Sequence, residues 1–349
     1  MAPTLKEVAK EAGVAISTAS GILTERPDSW ASESTRKRVQ EAANRLGYEA
    51  NRYARGLRIG SFQTIGLLVP DLLNPVYTVY ARAIQEALEK AGYSLTVEEA
   101  KASLKGESAA VKKLLASQVD GILCFFMDMK AHEKLFTKQK NNNLPMVFFG
   151  DSYPNSGIDN VQIDFGRGTK EAIEELIKLG HSNIGVLYGY HPVPKERERA
   201  DSRMEFFQTV LSKHDLPFPE SNLLKSGHTM QNAYDRFKEY LDSTDPTDRV
   251  SAVFAINDIL ALGVMRAAID HGLSIPEDLS IIGVDNTPMS QFSPIALSSV
   301  GYPIREIART ATDFLISRLQ GDKEAQREVM FSTHLVHRES IAPPAVEVV

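Results

Sequence analysis

The chain opens with apolar positions at helical spacing. Leu5, Val8, Ala9 and Ala12 fall on one face of a first helix, Thr4-Leu5-Lys6-Glu7 reads as its capping box, and Gly13 stops it. After a turn at Gly13-Val14-Ala15, a second helix is predicted from about Ile16 to Leu23. Its inner face carries Ala19, Ile22 and Leu23, and Ile16, Ser17 and Gly21 face outward. A third helix begins near Ser32, a good N-cap, and presents Val39, Ala42, Ala43 and Leu46 to the core before Gly47. From residue 64 the pattern changes. Apolar runs at TIGLLVP, SLTVE, GILCFF, PMVFFG, NIGVLYG, VSAVFAI and LSIIGV alternate with amphipathic stretches such as YARAIQEALEKAG, TKEAIEELIKLG and ILALGVMRAAIDHG. Strands apolar on both faces and separated by helices predict a doubly wound, parallel α/β architecture. Roughly 280 residues of such units exceed one small sheet, so two α/β lobes are expected behind a trihelical head.

Charge sharpens this division. Residues 1–60 hold ten Lys and Arg against seven acids, a net +3 within a chain of net charge -6, which leaves -9 for the remainder. A basic head on an acidic body is the asymmetry of a DNA-binding module joined to something else. The single cysteine, Cys124, excludes an intrachain disulfide and fits a reducing compartment. The start MAPTLKEVAKEAG lacks the pattern of a signal peptide, and no apolar run of about 18 residues could span a membrane. A cytoplasmic location is expected.

Catalytic signals are sparse. The eight histidines are scattered without HExxH-like spacing, so no metal site is expected. No Gly-x-Ser-x-Gly elbow occurs, and Gly166-Arg167-Gly168 is too short for a dinucleotide fingerprint. Neither a cofactor nor an enzymatic activity is expected. What does recur is a polar residue at the end of an apolar strand: Asp71, Asp151, Asn257, Asp258 and Asp285. Ligands of open α/β sheets bind beyond these carboxyl ends. Each residue alone serves equally as a helix cap or turn former, and Asp258 is a plausible N-cap. Together, with the basic run KERERADSR at 195–203 between them, they favour a pocket for a polyol or sugar. A sugar-binding protein without gene control, or a glycosidase with paired acids, is the rival reading.

TLKEVAKEAGVAISTAS, TRKRVQEAANRLGYEANRYARGLR, TIGLLVPD, KLGHSNIGVL, AINDILALGVMRA, LSIIGVDN and HRESIAPP, in this order and spacing, closely resemble the LacI/GalR family of bacterial transcription regulators over almost the whole chain. The resemblance implies a helix-turn-helix DNA-binding domain at 1–50, a hinge helix at 51–61, and a periplasmic-binding-protein-like core at 62–345. It implies an N-lobe of 62–164 and 295–327 and a C-lobe of 165–294 and 328–345, with crossovers near 165, 294 and 328. It further implies a homodimer on a pseudo-palindromic operator, and a small effector, carbohydrate by preference, between the lobes. Carried over residue by residue, base reading falls to Ile16, Ser17 and Gly21, and phosphate contacts to Thr18, Ser20, Thr4 and Asn51. Arg52, Ala54 and Arg55 lie in the hinge helix on DNA, and Leu57 is its minor-groove wedge. Effector contacts fall to Asp151, Arg203, Asn257 and Asp285, and further to Asn74 and Tyr77, after the first strand, and to His228.

The chain also departs from the family. Ala15 replaces a phosphate-binding Ser, Gly56 interrupts the hinge helix, and Trp30 sits where a smaller aliphatic residue is usual. Phe206 replaces a Gly, which predicts a bulkier wall beside Arg203. These residues leave open whether ligand releases DNA or promotes its binding.

Overall fold

A computed structural model describes residues 3–24, 30–48, 56, 60–101, 103–125, 144–150, 156–189 and 202–345. Their contacts fall into two compact units, one reaching to Thr64 with the turn Gln118–Asp120, the other containing the rest.

The first unit carries three helices, α1 (Leu5–Ala12), α2 (Ile16–Leu23) and α3 (Glu33–Leu46). The capping box is formed: the Glu7 amide donates to Thr4 Oγ1, and Glu7 Oε2 accepts from the Thr4 amide at 2.7 Å. Gly13 and Gly47 close α1 and α3 in the left-handed region, both at φ 64°, where a side chain would strain the backbone. Val8, Ala9, Ala12, Ala19, Ile22, Val39, Ala42 and Ala43 form the core. Leu46, expected inside, is exposed in the last turn of α3, and Leu23 only flanks the core.

The second unit holds two six-stranded sheets. The strands are β1 (Thr64–Val69), β2 (Ser94–Glu99), β3 (Gly121–Phe125), β4 (Met146–Phe149), β5 (Asp159–Asp164) and β6 (Ile184–Gly189), followed by β7 (Leu223–Ser226), β8 (Ala252–Ala255), β9 (Ser280–Val284), β10 (Ser298–Gly301), β11 (Glu328–Ser332) and β12 (His334–Val336). One sheet runs β11-β5-β4-β3-β1-β2 and the other β12-β10-β9-β8-β6-β7. β4, β8 and β9 are buried along their whole length, as strands covered on both faces must be. All seven predicted apolar runs became strands.

The helices that matter for the site are α4 (Pro75–Lys90), α5 (Leu104–Ala116), α6 (Phe165–Lys178), α7 (Ser202–Lys213), α8 (Met230–Ser243), α9 (Asp258–Asp270), α10 (Pro288–Phe292) and α11 (Ile304–Leu319). α4 and α11 pack together, and α11 also covers β3, β4 and β5.

The sheet pairings move two of the expected crossovers. β5 ends the first segment of one sheet at Asp164, and the chain then builds the other through β10, which pairs in parallel with β9. The second crossing therefore lies at Tyr302–Pro303, not 294, because the strand after α10 belongs with the C-lobe. The third lies at Thr333, not 328: β11 pairs with β5, whereas β12 pairs antiparallel with β10. Short strands with polar residues, such as SSVG and HLV, carry too little apolar pattern to reveal which sheet they join. Thr333 pins two crossings together, its hydroxyl donating to the Asp164 carbonyl at 2.8 Å and accepting from the Gly168 amide at 2.9 Å.

Candidate functional site

On the head, α2 begins at Ala15 without a side-chain cap. The amides of its first turn therefore have no internal acceptor, an arrangement suited to a phosphate oxygen. Ile16 and Ser17 are exposed, Thr18 and Ser20 are half-buried, and Thr4 is exposed at the start of α1. Gly21, expected to face outward, is buried. A residue without a side chain offers only backbone, which helical neighbours three and four positions away overhang. Trp30, where the family usually has a smaller aliphatic residue, is 98% exposed. Asn51, Arg52, Ala54, Arg55 and Leu57 lie outside the described residues, as do Asp151 and the run 195–201.

In the second unit, polar and aromatic side chains gather at the carboxyl ends of the strands. Asp285 follows β9 in the left-handed region at φ 107°, its amide donating to the Val300 carbonyl at 2.9 Å. Its carboxylate is buried and accepts from the Tyr302 hydroxyl at 2.7 Å. Burial, then the Asp258 charge, pushes this carboxyl up to about 7, against the pull of the Tyr302 hydrogen bond and of Arg203. Arg203, on α7, lies with its guanidinium carbon 5.0 Å from the Phe165 ring centroid, and its Nη1 donates to the Ile256 carbonyl at 2.6 Å. Asn257 is the next residue. It, and not Asp258, is the N-cap of α9, its Oδ1 accepting from the Leu260 amide at 2.9 Å.

Asp258 has another role. Fully buried, it accepts from the Thr287 amide (2.7 Å), the Thr287 hydroxyl (2.9 Å) and the Ser299 hydroxyl (2.6 Å). Burial raises its carboxyl, and these hydrogen bonds oppose that rise. It ties the start of α9 to the β9–α10 loop and to β10. Asp71 likewise serves its turn, accepting from the Leu73 amide at 2.8 Å.

From the other sheet, Asn74 caps α4 by accepting from the Val76 amide at 3.1 Å. One turn on, the Tyr77 ring meets Phe125 edge-on at 5.2 Å. Burial and the Asp285 charge raise the Tyr77 phenol, and Arg203 opposes them, so Tyr77, Asp285 and Arg203 share one neighbourhood. Asn257 joins them through the Ile256 carbonyl. His228 stands apart: it is half-buried and lies against Gly189 at the end of β6, where a Cβ would come within 2.7 Å of its Nδ1. The Phe206 ring covers Gly166 and borders a surface cavity of about 340 Å³ with Arg167, Lys170 and Lys213.

Sequence reasoning missed the aromatic part of this region. Tyr80, Phe125 and Phe149 form a cluster in which Phe125 and Phe149 stack at 4.2 Å and Tyr80 meets them edge-on at 4.9 and 5.5 Å. Phe165 and Tyr302 meet edge-on at 5.7 Å where the chain crosses between the sheets. In the sequence these residues read as ordinary core, and only their position at strand ends and crossings distinguishes them. Among the described residues, no group of three or more His, Cys, Asp or Glu could hold a metal ion.

Two family models match the chain: "Bacterial regulatory proteins, lacI family" over residues 4–51 and "Periplasmic binding protein-like domain" over residues 173–341. Catabolite control protein A of Priestia megaterium is 30% identical over 312 residues, 89% of this chain and 91% of that protein. The chain belongs to the LacI family. A lac repressor dimer solved with operator and the anti-inducer ONPF shares the fold, with a TM-score of 0.80 and 24% identity over 98% of this chain and 100% of that one. A LacI-family transcriptional regulator from Enterococcus faecium, solved with ribose, is 29% identical with a TM-score of 0.68, over 80% of this chain and 99% of that one. As a LacI-family member the chain is a DNA-binding transcriptional regulator and not an enzyme. No described helix is long and apolar enough to cross a membrane.

Proposed function

We propose that this regulator is a cytoplasmic repressor that binds a pseudo-palindromic operator as a homodimer and is tuned by a carbohydrate held at the strand ends of its core. The observation that carries the reading is the convergence of Arg203, Asn257, Asp285 and Tyr77 from both sheets beside aromatic rings. Acid, amide and guanidinium groups satisfy hydroxyls, which both donate and accept, while rings pack the apolar face of a sugar. Asn74, His228 and Asp151 complete the set carried over from the family. The ribose bound to the Enterococcus faecium regulator supports the same ligand class.

On the head, Ile16 and Ser17 read the bases, and Thr4, Thr18 and Ser20 hold the phosphates. An exposed Ile16 suits a thymine methyl. The hinge contacts at Asn51, Arg52, Ala54, Arg55 and Leu57 are carried over on the same footing. Gly21 drops out of base reading because it is buried. A ligand that prefers one arrangement of the lobes shifts operator affinity, and DNA shifts ligand affinity by the same factor.

The test is a binding-site selection with the full chain, followed by gel-shift titration of the selected DNA against a panel of pentoses, hexoses, disaccharides and their phosphates. One or more sugars should change DNA affinity. Arg203→Ala and Asp285→Ala should each abolish that response with DNA binding intact. If no sugar acts, or if both variants respond as the wild type does, the carbohydrate site is not here.

A further inference from the structure

Tyr80 sits on α4, is 1% exposed, and faces the stacked pair Phe125–Phe149 at the ends of β3 and β4. Its hydroxyl is fully buried and has no hydrogen-bond partner among the described residues. This is unusual, because a buried hydroxyl left unpaired forfeits the hydrogen bonds it made to water, and folded proteins leave few such groups. A phenylalanine would fill the same space without that penalty. The neighbourhood is also specific: burial raises the Tyr80 phenol, and the charge of Asp285, across the strand ends on the other sheet, raises it further. Tyr302, which holds Asp285, senses Tyr80 in turn. Three phenols and one carboxyl thus gather here, and two of them, Tyr302 and Asp285, already satisfy each other.

Resting on the carbohydrate reading above, we infer that Tyr80 is a specificity-determining residue, its hydroxyl held without a protein partner so that it bonds to an oxygen of a hydroxylated ring seated at the Phe125–Phe149 pair. On this lobe the half-buried Phe125, stacked on Phe149, supplies the rest of the wall, and an aromatic ring holds a ligand by its apolar side and discriminates poorly between ring orientations. One buried hydroxyl fixes the orientation: a ligand that places an oxygen on it removes an unpaired group, and a ligand that places a carbon there leaves the penalty standing. Tyr77, one turn earlier, meets Phe125 edge-on and closes the same wall.

The test compares the full-length wild type with Tyr80→Phe, in two measurements. The first is thermal unfolding without ligand. The variant should melt at the same temperature as the wild type or above it, because it removes an unsatisfied group. A variant melting several degrees lower would show that the hydroxyl serves the fold, and would overturn the inference. The second is calorimetric titration with D-ribose, cellobiose and methyl α-D-glucopyranoside. For each sugar the wild type binds, the variant should bind about tenfold more weakly or worse, the consequence of leaving a ligand oxygen unpaired. Equal affinity in both proteins would overturn the inference and leave the carbohydrate reading intact. If the wild type binds none of the three and no sugar of the wider panel changes its affinity for the selected DNA, the carbohydrate reading falls and the inference with it.

Discussion

Asp285 carries the most consequential chemistry of any single residue in the core. Its carboxyl titrates at about 7, so near neutral pH the ligand-free protein holds it as a mixture of acid and carboxylate. A sugar that donates hydroxyls to it, next to Arg203, favours the carboxylate. Effector binding should therefore release protons near neutrality and tighten as pH rises from about 6 to about 8. Calorimetry in buffers of different ionisation enthalpy measures that release directly, and Asp285→Asn should remove it. Proton uptake in the wild type would mean that the ligand meets the acid form. The effect on the fold has a definite sign. The folded pKa lies above the unfolded 3.8, so the stability Asp285 contributes is complete below about 4 and is lost as pH rises through about 7. The Asn variant should be free of that particular decline.

Among the elements, α9 depends on Asp258. Asn257 satisfies an amide at the helix start, leaving Asp258 to bind Thr287 and Ser299. Asp258→Ala would strand three buried donors and should cost roughly 3 kcal/mol, with the largest loss of hydrogen-exchange protection in the β9–α10 loop. A loss below about 1 kcal/mol would mean that the loop finds other partners. The sequence showed α9 and its neighbouring strands plainly, since apolar runs such as VSAVFAI and LSIIGV have few alternatives to a buried parallel strand. It did not show the division of labour between Asn257 and Asp258, because either residue can cap a helix and only the packed position of β10 selects one. For the same reason β5, β7, β10, β11 and β12 went unread. DNVQID and LLKS owe their place to neighbours distant in sequence, not to a pattern of their own. Arg203 and Asp285 could be nominated for the candidate site because they belong to motifs. Tyr80 was not, since an unpaired hydroxyl is a property of the fold and leaves no trace in spacing.

At the scale of the whole molecule, pH acts on stability in opposite directions. His181 is buried; its Nε2 donates to the Ala342 carbonyl at 2.8 Å, which leaves Nδ1 of the neutral ring to accept from the Ser251 hydroxyl at 2.9 Å. It thereby holds the segment after β12. Burial lowers its pKa, and the Ala342 carbonyl opposes the shift. Because its folded pKa lies below the unfolded 6.5, the stability it contributes is present above about 6.5 and is lost as pH falls. Melting temperature should therefore decline on the acid side of neutrality. His181→Gln should lower the melting temperature at pH 7 and flatten that acid decline, as a scan of thermal unfolding against pH would show. An unchanged acid slope would assign the decline to other groups.

The crossing at Thr333 also bears on the order of synthesis. β11 closes the edge of one sheet and β12 the edge of the other, with a single residue between them. A chain leaving the ribosome cannot finish either lobe before the other: both wait for the same nine residues, 328–336, and gain their outer strands together. Neither lobe is a contiguous piece of the gene, and the outer strands of both are encoded in one short late segment.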